Sequence, residues 1–261
     1  MTLVTEGEYL GAQMVPWFFV STEALQQQTV FLPPEVLHHL NVLRLQKGDL
    51  IVLSDGNGNA FKASLTGLEA SKGEAVILGE ALPTNEPLLQ ITLFPGITKG
   101  EKMEHVIRHS VELGVKKIVP VISKRSIVRL SRQKKDEKSR RWQKIARSAA
   151  GQCRRSFIPS VALPLEFDEM LDYWRKEKFE AIIVPWEEEK IAGLHRTLEA
   201  FPKGLKKVGV FTGPEGGISP EEMEQMRKIP GVYAVSLGPR ILRAETAPLA
   251  VLSVLMCHFD W

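Results

Sequence analysis

The stretch "VGVFTGPEGGISP" at 208–220 begins with β-branched and aromatic residues and then places Gly213, Pro214, Glu215, Gly216 and Gly217 in succession. An apolar run that ends in such a cluster predicts a buried strand closed by a tight turn. Ser219-Pro220-Glu221-Glu222 follows, with an N-cap serine, proline at the first helical position and Glu222 placed to complete a capping box. Strand, glycine turn and helix form the repeating unit of a parallel α/β sheet. At the carboxyl end of a strand such a turn offers backbone N–H groups to a ligand. Neither a Gly-Lys-Ser/Thr loop nor a GxGxxG fingerprint is present, and Glu215 would repel a pyrophosphate. The turn suits a ligand that is neutral or positively charged at that point; the plainer alternative is that its glycines serve geometry alone.

A second stretch, "LGPRILRAETAPLAVL" at 237–252, repeats the device. Gly238-Pro239 ends a strand, and Thr246 precedes Ala247-Pro248 as a helix cap. Arg240, Arg243 and Glu245 lie between them. They are either an internal ion-pair cluster or part of a site, and two such loops on one sheet favour a site.

Outward from these loops the chain divides near residue 85. After residue 88, strands ("QITLFPGI", "KKIVPVI", "FEAIIVP", "KKVGVFTG", "VYAVSLG") alternate with helical stretches, so a parallel sheet with helices on both faces is expected. In the helix over 101–113, Met103, Ile107 and Val111 share one face and Gly114 is the stop. His109 in that helix is expected to be a surface or structural residue. From Trp17 to Leu82 the runs "WFFV", "DLIVLSD", "AFKASLTGL" and "EAVILGEAL", with one helix in "PPEVLHHLNVLRL", predict a small β-barrel. Residues 1–15 read as a loosely attached N-terminal extension and 83–88 as a linker. "DGNGN" at 55–59 is a hairpin turn that resembles the start of a calcium loop, but Ala60 and Thr66 stand where that loop needs Gly and Glu.

Charge is unevenly spread. Between Lys124 and Arg155 thirteen Lys or Arg face only Asp136 and Glu137, a local charge of +11 in a chain of net charge +3, which leaves −8 for the remainder. A solvated helix face accounts for part of this, but such concentration suits a phosphate backbone. The two cysteines, Cys153 and Cys257, lack CxxC spacing, so reduced core residues are expected and no metal site. No apolar run reaches the ~20 residues of a membrane span. No basic residue precedes Arg44, so no signal peptide is expected and a cytoplasmic location is.

"GPEGGIS" and "LGPRILRAETA", preceded by "KGEKME…VELGV" at 99–115 and "QCRR…P" at 152–159, resemble the RsmE family of 16S ribosomal RNA methyltransferases, in the SPOUT superfamily. "VLR…G" at 42–48 fits as well, and the resemblance runs from about residue 16 to the end. It implies a PUA-like RNA-binding β-barrel at 16–82 and a SPOUT-type parallel sheet with a C-terminal trefoil knot at 89–261. It also implies a homodimer that completes the site, the small ribosomal subunit or its 16S rRNA as partner, and methyl transfer from S-adenosyl-L-methionine to N3 of a uridine in the decoding region. The cofactor carries a sulfonium and no phosphate, in keeping with an acidic glycine turn.

By the same resemblance, Thr212, Gly213, Glu215, Gly216 and Gly217 form one wall of the cofactor pocket. Leu237, Gly238, Ile241, Leu242 and Arg243 form the other, with Val184 and Pro185 as third contributors. Arg243, Arg240 and Glu245 are the catalytic candidates. An arginine would stabilise the uracil anion, and Glu245 or Glu215 would take the N3 proton unless solvent does. Arg125, Arg129, Arg132, Arg140, Arg141, Lys144, Arg147, Arg154 and Arg155 are assigned to RNA contact. Other expectations stand beside this one: a methyltransferase of the superfamily acting on tRNA or 23S rRNA, and a non-catalytic ribosome-assembly factor.

Overall fold

The computed structural model describes residues 15–69 and 72–259, so the expected N-terminal extension lies outside the described residues except for residue 15. The chain forms two compact units: one comprises residues up to Glu86 together with Arg154–Phe157, and the other Pro87–Cys153 and the remainder from Ile158. The break falls inside the stretch read as a linker.

In the first unit, β1 (Trp17–Phe19), α1 (Thr22–Leu25), β2 (Thr29–Phe31), α2 (Pro34–Val42), β3 (Leu50–Ser54), β4 (Ala60–Leu68) and β5 (Gly73–Ala81) follow in order. Pro34 opens α2 at a position whose N–H would have no helical partner, and Val36, Leu37 and Leu40 turn inward. The sheet order is β1-β3-β4-β5-β2, with β1 parallel to β3 and the other pairs antiparallel. Among the described residues the edge strands β1 and β2 do not pair with each other, so the barrel is open along that seam. Its inner face (Phe18, Val30, Ile51, Leu53, Ala63, Leu65, Ala75) closes over Val36, Leu37 and Leu40 of α2. Asp55 folds the β3–β4 turn: its Oδ1 accepts from the backbone N–H of Asn57 at 2.8 Å and of Asn59 at 3.2 Å. Its carboxylate is thereby used in an Asx turn rather than held for an ion.

Residues 154–157 complete this unit. The Ser156 carbonyl accepts from the Ser54 hydroxyl and the Gly58 N–H, both at 3.0 Å. Arg155 is 5% exposed, and its Nη2 lies 2.6 Å from Oε2 of Glu86, whose Oε1 accepts from the Phe157 N–H at 3.1 Å. This corrects the assignment of Arg155 to RNA: a guanidinium sheltered from water and paired with a carboxylate holds the fold, and removing either partner of such a pair costs about 3–5 kcal/mol. Arg154 beside it is exposed.

The second unit contains β6 (Gln90–Pro95), α3 (Lys102–Glu112), β7 (Lys117–Ile118), β8 (Val121–Ile122), α4 (Arg132–Gln152), β9 (Ser160–Val161), β10 (Leu165–Glu166), α5 (Phe167–Glu177), β11 (Ala181–Pro185), α6 (Leu194–Glu199), β12 (Lys207–Thr212), α7 (Pro220–Arg227), β13 (Val232–Val235) and α8 (Ala247–Phe259). Six strands form a wholly parallel sheet in the order β13-β11-β12-β6-β7-β9. Helices cover both faces. Phe94, Ile182, Val184 and Phe211 meet Met170, Leu171 and Trp174 of α5 and Met223 and Met226 of α7 on one side. On the other, α3 packs against α4 and α8, and α8 against β12.

The run "KKIVPVI" is two short strands rather than one. Pro120 has no N–H to donate, so the ladder stops and the chain leaves the main sheet, β8 pairing with β10 instead. The cysteines also differ from expectation: Cys153 is half-buried and Cys257 is exposed on the last helix, so neither is a core residue. Among the described residues no helix is long and apolar enough to cross a membrane.

Candidate active site and RNA interface

Because β6, β11, β12 and β13 run parallel, the loops that leave their carboxyl ends lie at one edge of the sheet. The loop after β12 begins with Thr212, 2% exposed, whose carbonyl accepts from the Gly96 N–H at 2.7 Å. It ends at Ser219, whose hydroxyl accepts from the Glu222 N–H while Glu222 Oε2 accepts from the Ser219 N–H, so the capping box read from the sequence is formed. The glycines are required by close approach. A Cβ on Gly96 would lie 2.5 Å from the Pro214 nitrogen, and one on Gly216 would lie 2.9 Å from Cβ and 3.0 Å from the carbonyl oxygen of Arg125. Gly217 has φ +73° and a side chain there would strike the Glu187 carboxylate.

Glu215 fastens the loop. Its Oε1 accepts from the Lys99 N–H at 3.1 Å and lies 3.3 Å from the Lys102 ammonium. Burial pushes the Glu215 carboxyl up, but hydrogen bonds from its own and the Lys99 backbone N–H, together with Lys102, outweigh this and hold it below the usual carboxylate range. A carboxylate with depressed proton affinity contributes its hold at neutral pH and loses it only as acid protonates it. It is also a weaker base, which separates Glu215 from the catalytic candidates.

The loop after β13 is zipped to the loop after β11. Ser236 N–H donates to the Ala192 carbonyl at 2.7 Å, and the Trp186 N–H donates to Val235 at 3.0 Å. The indole N–H of Trp186 reaches the Ile218 carbonyl at 3.3 Å, and the Arg227 guanidinium lies 5.2 Å above the Trp186 ring. Between these loops lies an open cleft. Pro185, Leu237, Gly238, Arg240, Ile241 and Leu242 line it together with Trp186, Glu187 and Lys190. Gly238 has φ +106° and a Cβ there would meet no atom within 4 Å, so the missing side chain leaves the floor open.

The structure thus brings together most of the second wall expected from the sequence; the residues expected as the first wall, Thr212, Gly213, Glu215, Gly216 and Gly217, do not line this cleft, although Glu187, which does, lies against Gly217. Val184 is a correction: its side chain is fully buried in the sheet core, so only its backbone can face a ligand. Arg243 is exposed on the same loop as Arg240 without lining the cleft. Glu245 Oε2 is shielded from solvent, accepts no hydrogen bond and lies 3.9 Å from Lys102 Nζ. Sequence reasoning missed Trp186, Glu187, Lys190 and Lys102. The "KGEKME" run was the available signal for Lys102; nothing local distinguished the other three.

The basic stretch is largely α4. It buries Trp142, Ala146, Ala149 and Ala150 and leaves Arg132, Arg140, Arg141, Lys144 and Arg147 exposed. Arg140, Lys144 and Arg147 follow at four and three residues, a cationic stripe of about 10 Å at 1.5 Å per residue. Arg141 also pairs with Glu104 at 2.6 Å. Arg129 and Arg125 are exposed ahead of the helix, with Arg125 Nη1 donating to the Gly216 carbonyl at 3.1 Å. His109 contacts Glu112 at 3.0 Å and stacks edge-on with His105, as a structural surface residue would. Among the described residues no cluster of His, Cys, Asp or Glu could hold a metal ion.

A parallel sheet whose carboxyl-end loops frame an open cleft, carried with an exposed basic helix, suits an enzyme that acts on RNA, and the family models define the class as RNA methyltransferases. The RNA methyltransferase domain model matches residues 84–256, and the RNA methyltransferase PUA domain model matches 32–78. The chain belongs to the ribosomal RNA small subunit methyltransferase E family. It is 34% identical to the Bacillus subtilis member over 85% of this chain and 86% of that one, and 34% identical to the Synechocystis member over 90% and 75%. Its fold matches the crystal structure of ribosomal RNA small subunit methyltransferase E from Neisseria gonorrhoeae bound to S-adenosyl methionine with a TM-score of 0.81, at 38% identity, covering 93% of this chain and 97% of that one.

Proposed function

We propose that this protein methylates N3 of a uridine in the decoding region of 16S rRNA, with S-adenosylmethionine as donor, on the assembled small subunit and as a cytoplasmic homodimer. The observation that carries the reading is the cleft formed where the loop after β13 meets the loop after β11, with Arg240 in its lining and Arg243 and Glu245 further along the same loop. Its residues suit the cofactor: Leu237, Ile241 and Leu242 offer apolar contact to an adenine, Gly238 leaves room, and Glu187 presents negative charge. When bound, the cofactor supplies a methyl group on a cationic sulfur.

Uridine N3 carries a proton and becomes an effective nucleophile only as that proton leaves. Glu245 is the better acceptor, because Glu215 Oε1 already accepts hydrogen bonds from the Lys99 N–H and the Lys102 ammonium, whereas Glu245 Oε2 accepts none and Lys102 stands 3.9 Å from it. Arg243, with Arg240 beside it, stabilises the negative charge that spreads to O2 and O4 of the uracil. Arg125, Arg129, Arg132, Arg140, Arg141, Lys144, Arg147 and Arg154 contact the rRNA backbone. Exposed Ile241 and Val254, on the loop and helix after β13, support the homodimer as apolar surface for a partner to cover. The C-terminal trefoil knot belongs to the same proposal. It is supported by the path of the chain, which lays β13 outside β11, bridges Gly193 to Ser236 and returns in α8 against α3, α6 and β12.

A transfer assay with methyl-labelled cofactor and a mixture of small subunits, large-subunit rRNA and tRNA tests the substrate: label is expected in 16S rRNA alone. In the same assay, Arg140→Gln with Lys144→Gln raises the KM for RNA with little change in kcat. The log–log salt dependence of RNA binding becomes shallower by about 1.5, for two lost phosphate contacts. An unchanged slope contradicts the phosphate role of α4, and label in tRNA or 23S rRNA contradicts the substrate.

A further inference from the structure

We infer that Lys102 is a positioning residue for the transfer reaction: its ammonium is the staple that ties the loop after β13, one wall of the cofactor cleft, to the glycine loop after β12. The inference rests on the reading of that cleft as the S-adenosylmethionine site. Lys102 is the first residue of α3, and the helix behind it is anchored by Met103, Val106, Ile107 and Val111, all essentially without solvent exposure. The side chain therefore starts from a fixed point. Its Nζ lies 3.3 Å from Glu215 Oε1, on the loop after β12, and 3.9 Å from Glu245 Oε2, on the loop after β13.

Each carboxylate has its own reason to need this cation. Glu215 already accepts from the Lys99 N–H, so the loop after β12 is fixed to the start of α3 by two donors from one short segment. Glu245 Oε2 is shielded from water and receives no hydrogen bond, so Lys102 is the compensating charge within reach. The partial positive charge at the N-terminus of α3 acts in the same direction on both. All three side chains are between a fifth and two-fifths exposed, a setting in which an isolated pair counts for little but a shared network counts for more. Because Glu245 shares its loop with Arg240 and Arg243, the staple holds that wall of the cleft and the reacting groups in place together.

The test uses the full-length chain, with S-adenosylmethionine affinity measured by titration calorimetry in the absence of RNA. Lys102→Met, Lys102→Arg, Glu215→Gln, Glu245→Gln and the two Lys102→Met double variants are compared. Lys102→Met is expected to raise Kd about tenfold and Lys102→Arg to restore it to within about threefold, since a guanidinium reaches both carboxylates. In each double variant the losses combine to less than their product. Wild-type affinity in Lys102→Met, equal loss in Lys102→Arg, or multiplicative double variants each overturn the staple. Should Lys102→Met not fold, Lys102→Arg paired with each Gln variant reads the same coupling. A wild-type chain that binds no S-adenosylmethionine overturns the cleft assignment itself, an outcome distinct from a binding chain insensitive to Lys102.

Discussion

Arg243→Ala is expected to lower kcat by about 10²- to 10³-fold while the Kd for S-adenosylmethionine stays within about threefold of wild type. Arg243 is exposed on the loop after β13 and does not line the cleft, so its guanidinium contributes little to holding the cofactor. It is free of the cleft wall to meet a base that arrives from solvent. The charge it opposes develops on the uracil oxygens only as N3 loses its proton, so the interaction acts mainly in the transition state. Arg240, which does line the cleft, should show the other pattern when changed to Ala, with cofactor affinity reduced along with turnover. Single-turnover transfer with separately measured cofactor binding distinguishes the two. Weakened cofactor binding with unchanged kcat in Arg243→Ala would move this residue from the chemistry to the pocket.

Gly96→Ala has the second large effect. A Cβ at this position would lie 2.5 Å from the nitrogen and 2.6 Å from Cδ of Pro214, and 2.9 Å from the carbonyl carbon of Gly213. Two of these three atoms are backbone in the centre of the loop, and the Gly96 N–H is bonded to the Thr212 carbonyl at 2.7 Å, so neither side can move without breaking the β6–β12 ladder where it ends. Overpacking of this kind costs about 3 kcal/mol, and displacing the Gly213–Gly217 turn, whose Gly217 lies against Glu187 of the cleft, should weaken cofactor binding at least about tenfold. Urea unfolding and calorimetry measure the two effects. Wild-type stability would show that the loop after β12 yields where its contacts say it is fixed.

These two residues show how unevenly the site could be read in advance. Arg243 stands in a motif whose residue types announce chemistry, and its loop emerges from a strand whose apolar run is plain in the sequence. Gly96 is one glycine after a strand, and its need for a bare Cα arises from Pro214, more than a hundred residues away. The same distinction separates the parts of the fold. The strands of the parallel sheet and the capping box at Ser219 are local patterns, and they formed where periodicity and capping chemistry placed them. The split of "KKIVPVI" at Pro120 depended on a second sheet, and α6 (Leu194–Glu199) was too short to show a helical period. Arg155 looked like its basic neighbours. Only the return of 154–157 to the first unit, against Glu86, made it an internal ion pair. The cationic stripe of α4 was legible because charge on an exposed helix face needs no tertiary partner to be noticed, whereas Glu187 and Lys102 act through loops that converge from distant parts of the chain.

Nucleoside mass spectrometry gives the most direct measurement. Small subunits and naked rRNA from cells that lack the modification are incubated with the protein and S-adenosylmethionine carrying a labelled methyl group, and the rRNA is digested and resolved by position. The expected product is labelled 3-methyluridine at one decoding-region site, formed on the assembled subunit. Label on a different atom or base, or its absence from the small subunit while cofactor binding is intact, would contradict the assignment of this protein as a uridine-N3 methyltransferase of 16S rRNA.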